Sequence, residues 1–250
     1  MRLSILAILM LFISTSGASA AIEFVVVTSN VDQASLQPGS VLNSKQTIKL
    51  PAGSRVTVLS ESGSIVILEG PYSGTFSSKI SVDAGTKTAD RSSTIIKISK
   101  FVTRNSAKSN VIGASRGINT PNGIKQSVWL MAVDSSGHRC IRSNDAIMWR
   151  RNTRDTIKVS LRSESAKRTG LLWENGKNTM PLPSEFIEDG ILIIMKIDIQ
   201  PRRFNLHVLP ATIKEKQWGK VLLWMIENNC SRQSSILIDA LHHNPSAFSQ

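Results

Sequence analysis

"LPAGSRVTVLSESGSIVILEGPYSGTF", residues 50–76, is the most regularly patterned stretch of the chain and decides its fold class. Apolar and polar residues alternate at 55–59 before the turn Glu61-Ser62-Gly63-Ser64, the apolar run 65–68 follows the turn, and a Gly-Pro-Tyr-Ser-Gly corner follows at 70–74. Alternation with a period of two, bounded by glycine and proline turns, is typical of antiparallel β-strands. The stretch therefore predicts a β-hairpin in which Val56 and Val58 face a core.

The same pattern continues on both sides of this hairpin. Short apolar runs recur along the chain, separated by glycine, proline, serine and asparagine. They lie at 22–27, 47–50, 128–133, 146–149, 156–161, 171–173, 191–195 and 204–208. We therefore predict a mainly β fold, with a small N-terminal antiparallel β domain and a C-terminal β-sandwich.

Helical spacing is found in three places. Residues 92–103 predict a short helix whose buried face carries Ile95, Ile98 and Val102. A second apolar stripe with helical spacing follows the last strand and consists of Trp218, Val221, Leu222 and Met225. Residues 231–243 contain a further helical stretch. We expect one or two α-helices to end the C-terminal domain.

The predicted domain organisation follows from these patterns. Residues 21–104 form the β domain with its short helix, and residues 126–250 form the β-sandwich with its terminal helices. Residues 105–125 lack periodicity and are rich in Asn, Ser, Gly and Lys, which is typical of a flexible basic linker.

The N-terminus carries the pattern of a secretory signal peptide. Arg2 gives a positively charged n-region, residues 5–13 are an unbroken apolar run, and Ala18-Ser19-Ala20 resembles a signal-peptidase cleavage site. The apolar run is shorter than the about 20 residues needed to span a bilayer. A buried N-terminal helix is the alternative. We predict a signal peptide at 1–20, cleavage after Ala20, and a periplasmic mature protein without a transmembrane segment.

The charge of the mature chain is strongly positive. Without Arg2 it has 29 Lys and Arg against 18 Asp and Glu, a net charge of +11. Such a protein favours anionic partners, which in an envelope are phospholipid, lipopolysaccharide or other acidic polymers. Export and the lack of a helix-turn-helix or zinc-finger spacing argue against nucleic acid. Because the basic residues are dispersed along the chain, a dedicated polyanion site and an ordinary solvated surface both stay open.

The two cysteines, Cys140 and Cys230, predict one disulfide in an oxidising compartment. Two buried free thiols are the alternative. His138 and Arg139 precede Cys140 and superficially suggest an activated thiolate, but a pairing cysteine makes a disulfide the simpler interpretation.

No catalytic residue, metal site or cofactor is predicted. The chain lacks a Gly-x-Ser-x-Gly elbow and a His-Glu-x-x-His motif. His207 falls on the outward face of an alternating strand, where a solvated histidine is expected, and His242-His243 lies at a helix end without a third ligand. Glu185, Glu188 and Asp189 form an acidic cluster that is ordinary turn chemistry next to Pro183 and Gly190. We therefore expect a protein that is not an enzyme.

Aromatic side chains are the remaining binding signal, since exposed rings can stack on sugars. Tyr72 is the only tyrosine and sits in the 70–74 corner. Tyr72 and Trp173 are the candidate exposed ligand-binding residues. The other tryptophans sit mostly within apolar runs and are expected in the core: Trp129, Trp149, Trp218 and Trp224.

The opening stretch resembles the periplasmic domain of iron-dicitrate regulator (FecR)-like proteins. The shared sequence motif consists of Leu50, Gly53, Ser54 and Val56, followed by Gly63 and the predicted strand 65–68. The whole chain resembles a family of uncharacterised exported proteobacterial proteins in the same hairpin, in Cys140 followed by Trp149-Arg150, in the Leu206–Pro210 segment, and in Cys230 followed by Gln233. The resemblance implies an envelope protein and carries over no catalytic residue. Because no transmembrane helix precedes the hairpin, we do not expect signalling through a sigma factor.

The functional expectation is a non-catalytic periplasmic envelope protein that acts as an interaction or sensory and regulatory partner of another envelope protein. The alternative is a module that binds a glycan or an acidic polymer, such as peptidoglycan or lipopolysaccharide. No cofactor is expected for either function.

Overall fold

The structure, a computed structural model, describes residues 23–75, 91–109, 128–151, 154–197 and 200–243. The predicted signal peptide at 1–20, its cleavage after Ala20 and the linker region 110–125 lie outside the described residues. Within the described ranges the chain is mainly β, as predicted, with fourteen strands and three α-helices. No helix in these ranges is long and apolar enough to cross a membrane.

The N-terminal half is an antiparallel sheet with a small side ribbon. Its strands are β1 (Glu23–Ser29), β2 (Val41–Asn43), β3 (Thr47–Leu50), β4 (Arg55–Ser60), β5 (Ile65–Glu69) and β6 (Tyr72–Thr75). The sheet has the order β2-β1-β4-β5, and β3 pairs with β6 in the ribbon. The predicted hairpin is β4–β5, and Val56 and Val58 are fully buried between sheet and ribbon.

The C-terminal half has two sheets packed around one core. Its strands are β7 (Leu130–Ala132), β8 (Gly137–Ile141), β9 (Ile147–Trp149), β10 (Ile157–Arg162), β11 (Lys167–Trp173), β12 (Thr179–Pro181), β13 (Leu192–Ile197) and β14 (Gln200–Val208). The larger sheet has the order β11-β10-β13-β14-β8 and the smaller one β12-β9-β7. Met131 and Met148 of the smaller sheet share a core with Ile193 and Phe204 of the larger one. This two-layer arrangement agrees with the predicted sandwich, although β14–β8 and β7–β9 pair in parallel.

The three helices are α1 (Arg91–Ser109), α2 (Trp218–Glu227) and α3 (Ser231–His243). The helix α1 is longer than the predicted 92–103 and includes residues that the sequence assigned to the linker. In this additional part of the helix, the side chains of Asn105 and Ser106 donate hydrogen bonds to backbone oxygens of the preceding turn.

A third core joins the two halves of the chain. The second face of β1, with Val25 and Val27, packs with α1 and with α2 and α3 from the C-terminal end. The turn of the opening hairpin touches α2 so closely that a Cβ on Gly219 would lie 1.9 Å from the oxygen of Gly63. The predicted domain boundaries stay a prediction, but the hydrophobic core runs across them.

Candidate functional site

The five strands of the larger sheet contain basic residues and no acidic ones. Together β8, β10, β11, β13 and β14 carry eight Lys and Arg residues and neither Asp nor Glu. Because side chains alternate along a strand, residues adjacent to fully buried Val159 and Leu161 point to the opposite face. The exposed basic residues of that outward face are Lys158, Arg162, Lys167, Lys196 and Arg203. We call this surface the cationic face.

Strand pairing brings part of the cationic face into one row. Arg162 lies opposite Lys167 of β11 and opposite Ile194 of β13. Ile194 in turn lies opposite Arg203 of β14. Directly opposed side chains have Cβ atoms about 4.5–5.5 Å apart, and like charges in such pairs are destabilising. The juxtaposition of Arg162 and Lys167 therefore costs stability, which a bound anion would offset.

The other three basic residues of the sheet have structural partners. Arg168 forms an ion pair with Glu185. Arg202 donates a hydrogen bond to the backbone oxygen of Val133, and Arg139 is buried. By contrast, none of the five residues of the cationic face forms an ion pair within the part of the chain that the structure describes. Their charges are therefore available to a partner.

Arg139 illustrates the structural use of a buried cation. It lies 5.2 Å from the centroid of the Phe204 ring. Burial is the largest cause that lowers its pKa to about 10, the charge of Arg232 adds to this effect, and Asp134 opposes it. Its guanidinium donates hydrogen bonds of 2.5–2.8 Å to the backbone oxygens of Ala132, Ser135 and His138. Arg139 thus fixes the loop between β7 and β8 rather than facing a ligand.

Three aliphatic side chains are exposed among the outward cations. The exposed fractions are 61% for Leu172, 45% for Leu192 and 36% for Ile194. Within the described residues, the other exposed large hydrophobic side chains are Val41 and Ile96, which lie elsewhere. The cationic face therefore combines positive charge with apolar surface.

Two histidines stack at the edge of the cationic face. His138 Nδ1 lies 2.9 Å from His207 Nε2, and the ring centroids are 5.2 Å apart. Burial, which is the largest cause, and His138 lower the pKa of His207, whereas Asp189 raises it. His207 lies on the outward face, as alternation predicts, but it is partly buried because parallel pairing of β14 with β8 brings His138 beside it.

The two cysteines lie together, as predicted from the sequence. Their Sγ atoms are 2.09 Å apart, so the disulfide links Cys140 of β8 to Cys230 just before α3. The buried amide of Gln233, in the first turn of α3, also bonds to both backbone groups of Cys140. These contacts hold α3 at the β8 edge of the larger sheet and leave the outward faces of β10, β11 and β13 uncovered by α3.

Tyr72 is turned back onto its own ribbon. Its hydroxyl donates a 2.8 Å hydrogen bond to the backbone oxygen of Thr75, and its half-buried ring packs against the N-terminal core. A Cβ on Gly74 would lie 2.9 Å from the Tyr72 hydroxyl oxygen, so the ring and the strand are in close contact. Tyr72 is therefore partly buried against its own ribbon, and its hydroxyl already has a partner there.

A polar cleft lies beside the 70–74 corner, with a volume of about 440 Å³. It is lined by Asn30, Arg55, Glu69, Gly70 and His242, among others. The guanidinium of Arg55 pairs with the Glu69 carboxylate at 2.8 Å. Burial is the largest cause that lowers the pKa of His242. The corner thus borders a cleft through Gly70, whereas its tyrosine points elsewhere.

The expectation of an exposed Trp173 is wrong. Trp173 is 1% exposed, because the register of β11 places it opposite Ile157 on the inward face of the sheet. The guanidinium of Arg150 lies 5.2 Å from its ring centroid. A tryptophan in this position stabilises the core and presents no ring to a ligand. Of the remaining tryptophans, the fully or nearly buried ones are Trp129, Trp218 and Trp224.

The acidic cluster before β13 has structural contacts. Glu185 pairs with Arg168, and Asp189 Oδ1 accepts a 2.8 Å hydrogen bond from the backbone N–H of Val208. Among the described residues, no group of three or more His, Cys, Asp or Glu side chains is arranged to hold a metal ion.

The cationic face was missed because its residues come from four strands that are dispersed in the sequence. One signal was available there, namely that each strand predicted for this sheet lacks acidic residues. Counting charged residues in each predicted strand would have found the cationic face.

No family model, no curated protein and no solved structure matches this chain. The resemblance to FecR-like domains accordingly stays a prediction.

Proposed function

We propose that this is a non-catalytic, exported envelope protein that binds an acidic envelope component through the cationic face. The observation that carries the proposal is the set of five exposed basic side chains on one sheet face, whose strands contain no acidic residue. The signal-peptide pattern at 1–20 supports an envelope location, where acidic polymers and lipids are abundant.

The strength of such binding can be bounded from the charges. A basic side chain near an anionic surface contributes about 1 kcal/mol, so five contribute about 5 kcal/mol at moderate salt. That corresponds to a Kd on the order of 0.1–1 mM for a single encounter. Such affinity suits a protein that stays associated with a dense polyanionic layer through many repeated contacts. It also predicts a strong dependence on ionic strength, because the charges are exposed.

The test compares two triple variants of the mature chain in binding to immobilised polyphosphate, a polyanion without acyl chains. The first variant removes charges from the cationic face: Arg162→Gln, Lys196→Gln and Arg203→Gln. We expect roughly 100-fold weaker binding, since three contributions of about 1 kcal/mol are lost.

The matched control removes the same number of charges elsewhere. Lys45→Gln, Lys49→Gln and Lys214→Gln change exposed lysines outside the larger sheet and give the same net charge as the first variant. We expect binding close to that of the unmodified protein. Equal weakening by both triple variants would mean that net charge alone acts, and the proposal would be abandoned.

The polar cleft favours a second function, that of a sensory or regulatory partner. It lies at the end of the hairpin that resembles FecR-like domains, and it combines the Arg55–Glu69 ion pair with His242. A pull-down from an envelope fraction would test this function, with Glu69→Gln as the comparison variant. A partner that the unmodified protein captures and the variant does not would support it. If the unmodified protein and the Glu69→Gln variant capture the same proteins, this second function is contradicted.

A further inference from the structure

We infer that the acidic component is a lipid bilayer containing anionic phospholipid, on which the cationic face docks with its exposed aliphatic side chains entering the headgroup region. This inference rests on the proposed function and names its partner. It assigns a role to Leu172, Leu192 and Ile194, which charge attraction alone does not use.

The aliphatic side chains are interleaved with the cations. Ile194 lies between Arg162 and Arg203 in one row of the sheet. Leu172 lies directly opposite Lys158. Leu192 is two residues from Ile194 on the same strand, which places it on the same face about 7 Å away. Each exposed aliphatic group therefore has a basic residue, or another aliphatic group, as its neighbour.

A bilayer surface fits this mixture better than a polymer does. A soluble polyanion can neutralise the basic residues but leaves aliphatic groups in water. The interfacial region of a bilayer offers phosphate groups and, a few ångström deeper, acyl chains, so both kinds of side chain are accommodated. The four strands β11, β10, β13 and β14 span about 14 Å from first to last, which is wide enough to contact several headgroups.

A second copy of the chain fits poorly on the same face. Self-association through this face would bring five basic residues against five others, and no acidic residue of the same strands could compensate them. The charge complementarity therefore favours an anionic surface over a homodimer.

The experiment measures co-sedimentation of the mature protein with vesicles of phosphatidylcholine that contain 30% phosphatidylglycerol, and with vesicles of phosphatidylcholine alone. We expect binding to the anionic vesicles only. The variant Leu172→Ser, Leu192→Ser, Ile194→Ser should bind these vesicles on the order of 100-fold more weakly, because three partly buried aliphatic contacts are lost. The same variant should bind polyphosphate as the unmodified protein does.

The control double variant is Val41→Ser, Ile96→Ser, which changes the exposed aliphatic side chains outside the cationic face. It should bind anionic vesicles normally. Circular dichroism checks folding of each variant. If the triple variant is unfolded, the single change Leu172→Ser at the most exposed position replaces it, with an expected loss of about 5-fold.

The outcomes separate the inference from the proposed function. If the unmodified protein binds polyphosphate but not anionic vesicles, or if the serine variants of Leu172, Leu192 and Ile194 bind vesicles normally, the bilayer inference is overturned while the proposed function stands. If it binds neither polyphosphate nor vesicles, both are overturned. Weaker binding of the Leu172, Leu192 and Ile194 serine variants to anionic vesicles, with unchanged binding to polyphosphate and normal vesicle binding of the control double variant, supports the inference.

Discussion

Gln233 provides the sharpest test of how α3 is attached to the larger sheet. Its side chain is buried, with Oε1 accepting from the Cys140 N–H at 2.8 Å. Its Nε2 donates to the backbone oxygens of Cys140 at 2.5 Å and Val128 at 3.0 Å. Because β8 is the last strand of its sheet, this amide occupies the place that a peptide group of a further strand would take.

The substitution Gln233→Leu keeps a similar volume and removes all three hydrogen bonds. Each bond contributes about 1 kcal/mol net, so the loss is about 3 kcal/mol, and unpaired buried backbone groups raise it further. We expect the free energy of unfolding to fall by about 3–4 kcal/mol. Gln233→Glu should cost more at neutral pH, because it places a carboxylate against two carbonyl oxygens. Its deficit should shrink as acid protonates the introduced carboxyl group.

Urea denaturation followed by tryptophan fluorescence measures these differences. The control is Gln33→Leu, because Gln33 is exposed and its side chain makes no capping hydrogen bond. A change below about 0.5 kcal/mol is expected there. The reasoning is refuted if Gln233→Leu costs less than about 1 kcal/mol, or if the deficit of Gln233→Glu does not shrink at low pH.

Three further predictions concern the disulfide, the contact between the opening hairpin and α2, and His207 of β14. Replacing Cys140 and Cys230 by alanine should cost about 4–5 kcal/mol, because the disulfide closes a loop with a sequence separation of 90; an unchanged urea midpoint would contradict this. Gly219→Ala should cost about 1–3 kcal/mol, since the new methyl group would meet the oxygen of Gly63; calorimetry checks it, and an unchanged Tm would be inconsistent with the close contact. The lowered pKa of His207 means that the fold disfavours protonation of this side chain. Its contribution to the free energy of unfolding is therefore fully present above the ordinary pKa of 6.5 and is lost as the pH falls from 6.5 through the lowered pKa. His207→Asn should flatten that part of the stability profile, and an unaltered slope would assign the pH dependence to other groups.

Sequence patterns predicted the features that depend on neighbours along the chain. The alternation in 50–76 correctly gave the β4–β5 hairpin, and Ile95, Ile98 and Val102 are buried on α1 as their spacing indicates. Such features follow from local geometry, because the period of two or 3.6 residues alone decides which side chains share a face.

Features that depend on strand pairing could not be predicted from the sequence pattern. Trp173 and Leu172 are adjacent in one apolar run, yet one is buried and the other is the most exposed aliphatic group of the cationic face. Alternation separates them, but only the pairing of β11 with β10 decides which of the two points into the core.

The sequence by itself determined the β class, most of the strand-forming segments and the excess of positive charge, and it favoured a disulfide between its two cysteines; the strands β2, β8 and β12 were not predicted. The tertiary structure alone decided where that charge is concentrated. Arg162, Lys196 and Arg203 are remote from one another in the chain and become neighbours because β13 lies between β10 and β14. Sheet order and register are non-local choices, set by the total burial of two faces at once, and no short segment encodes them.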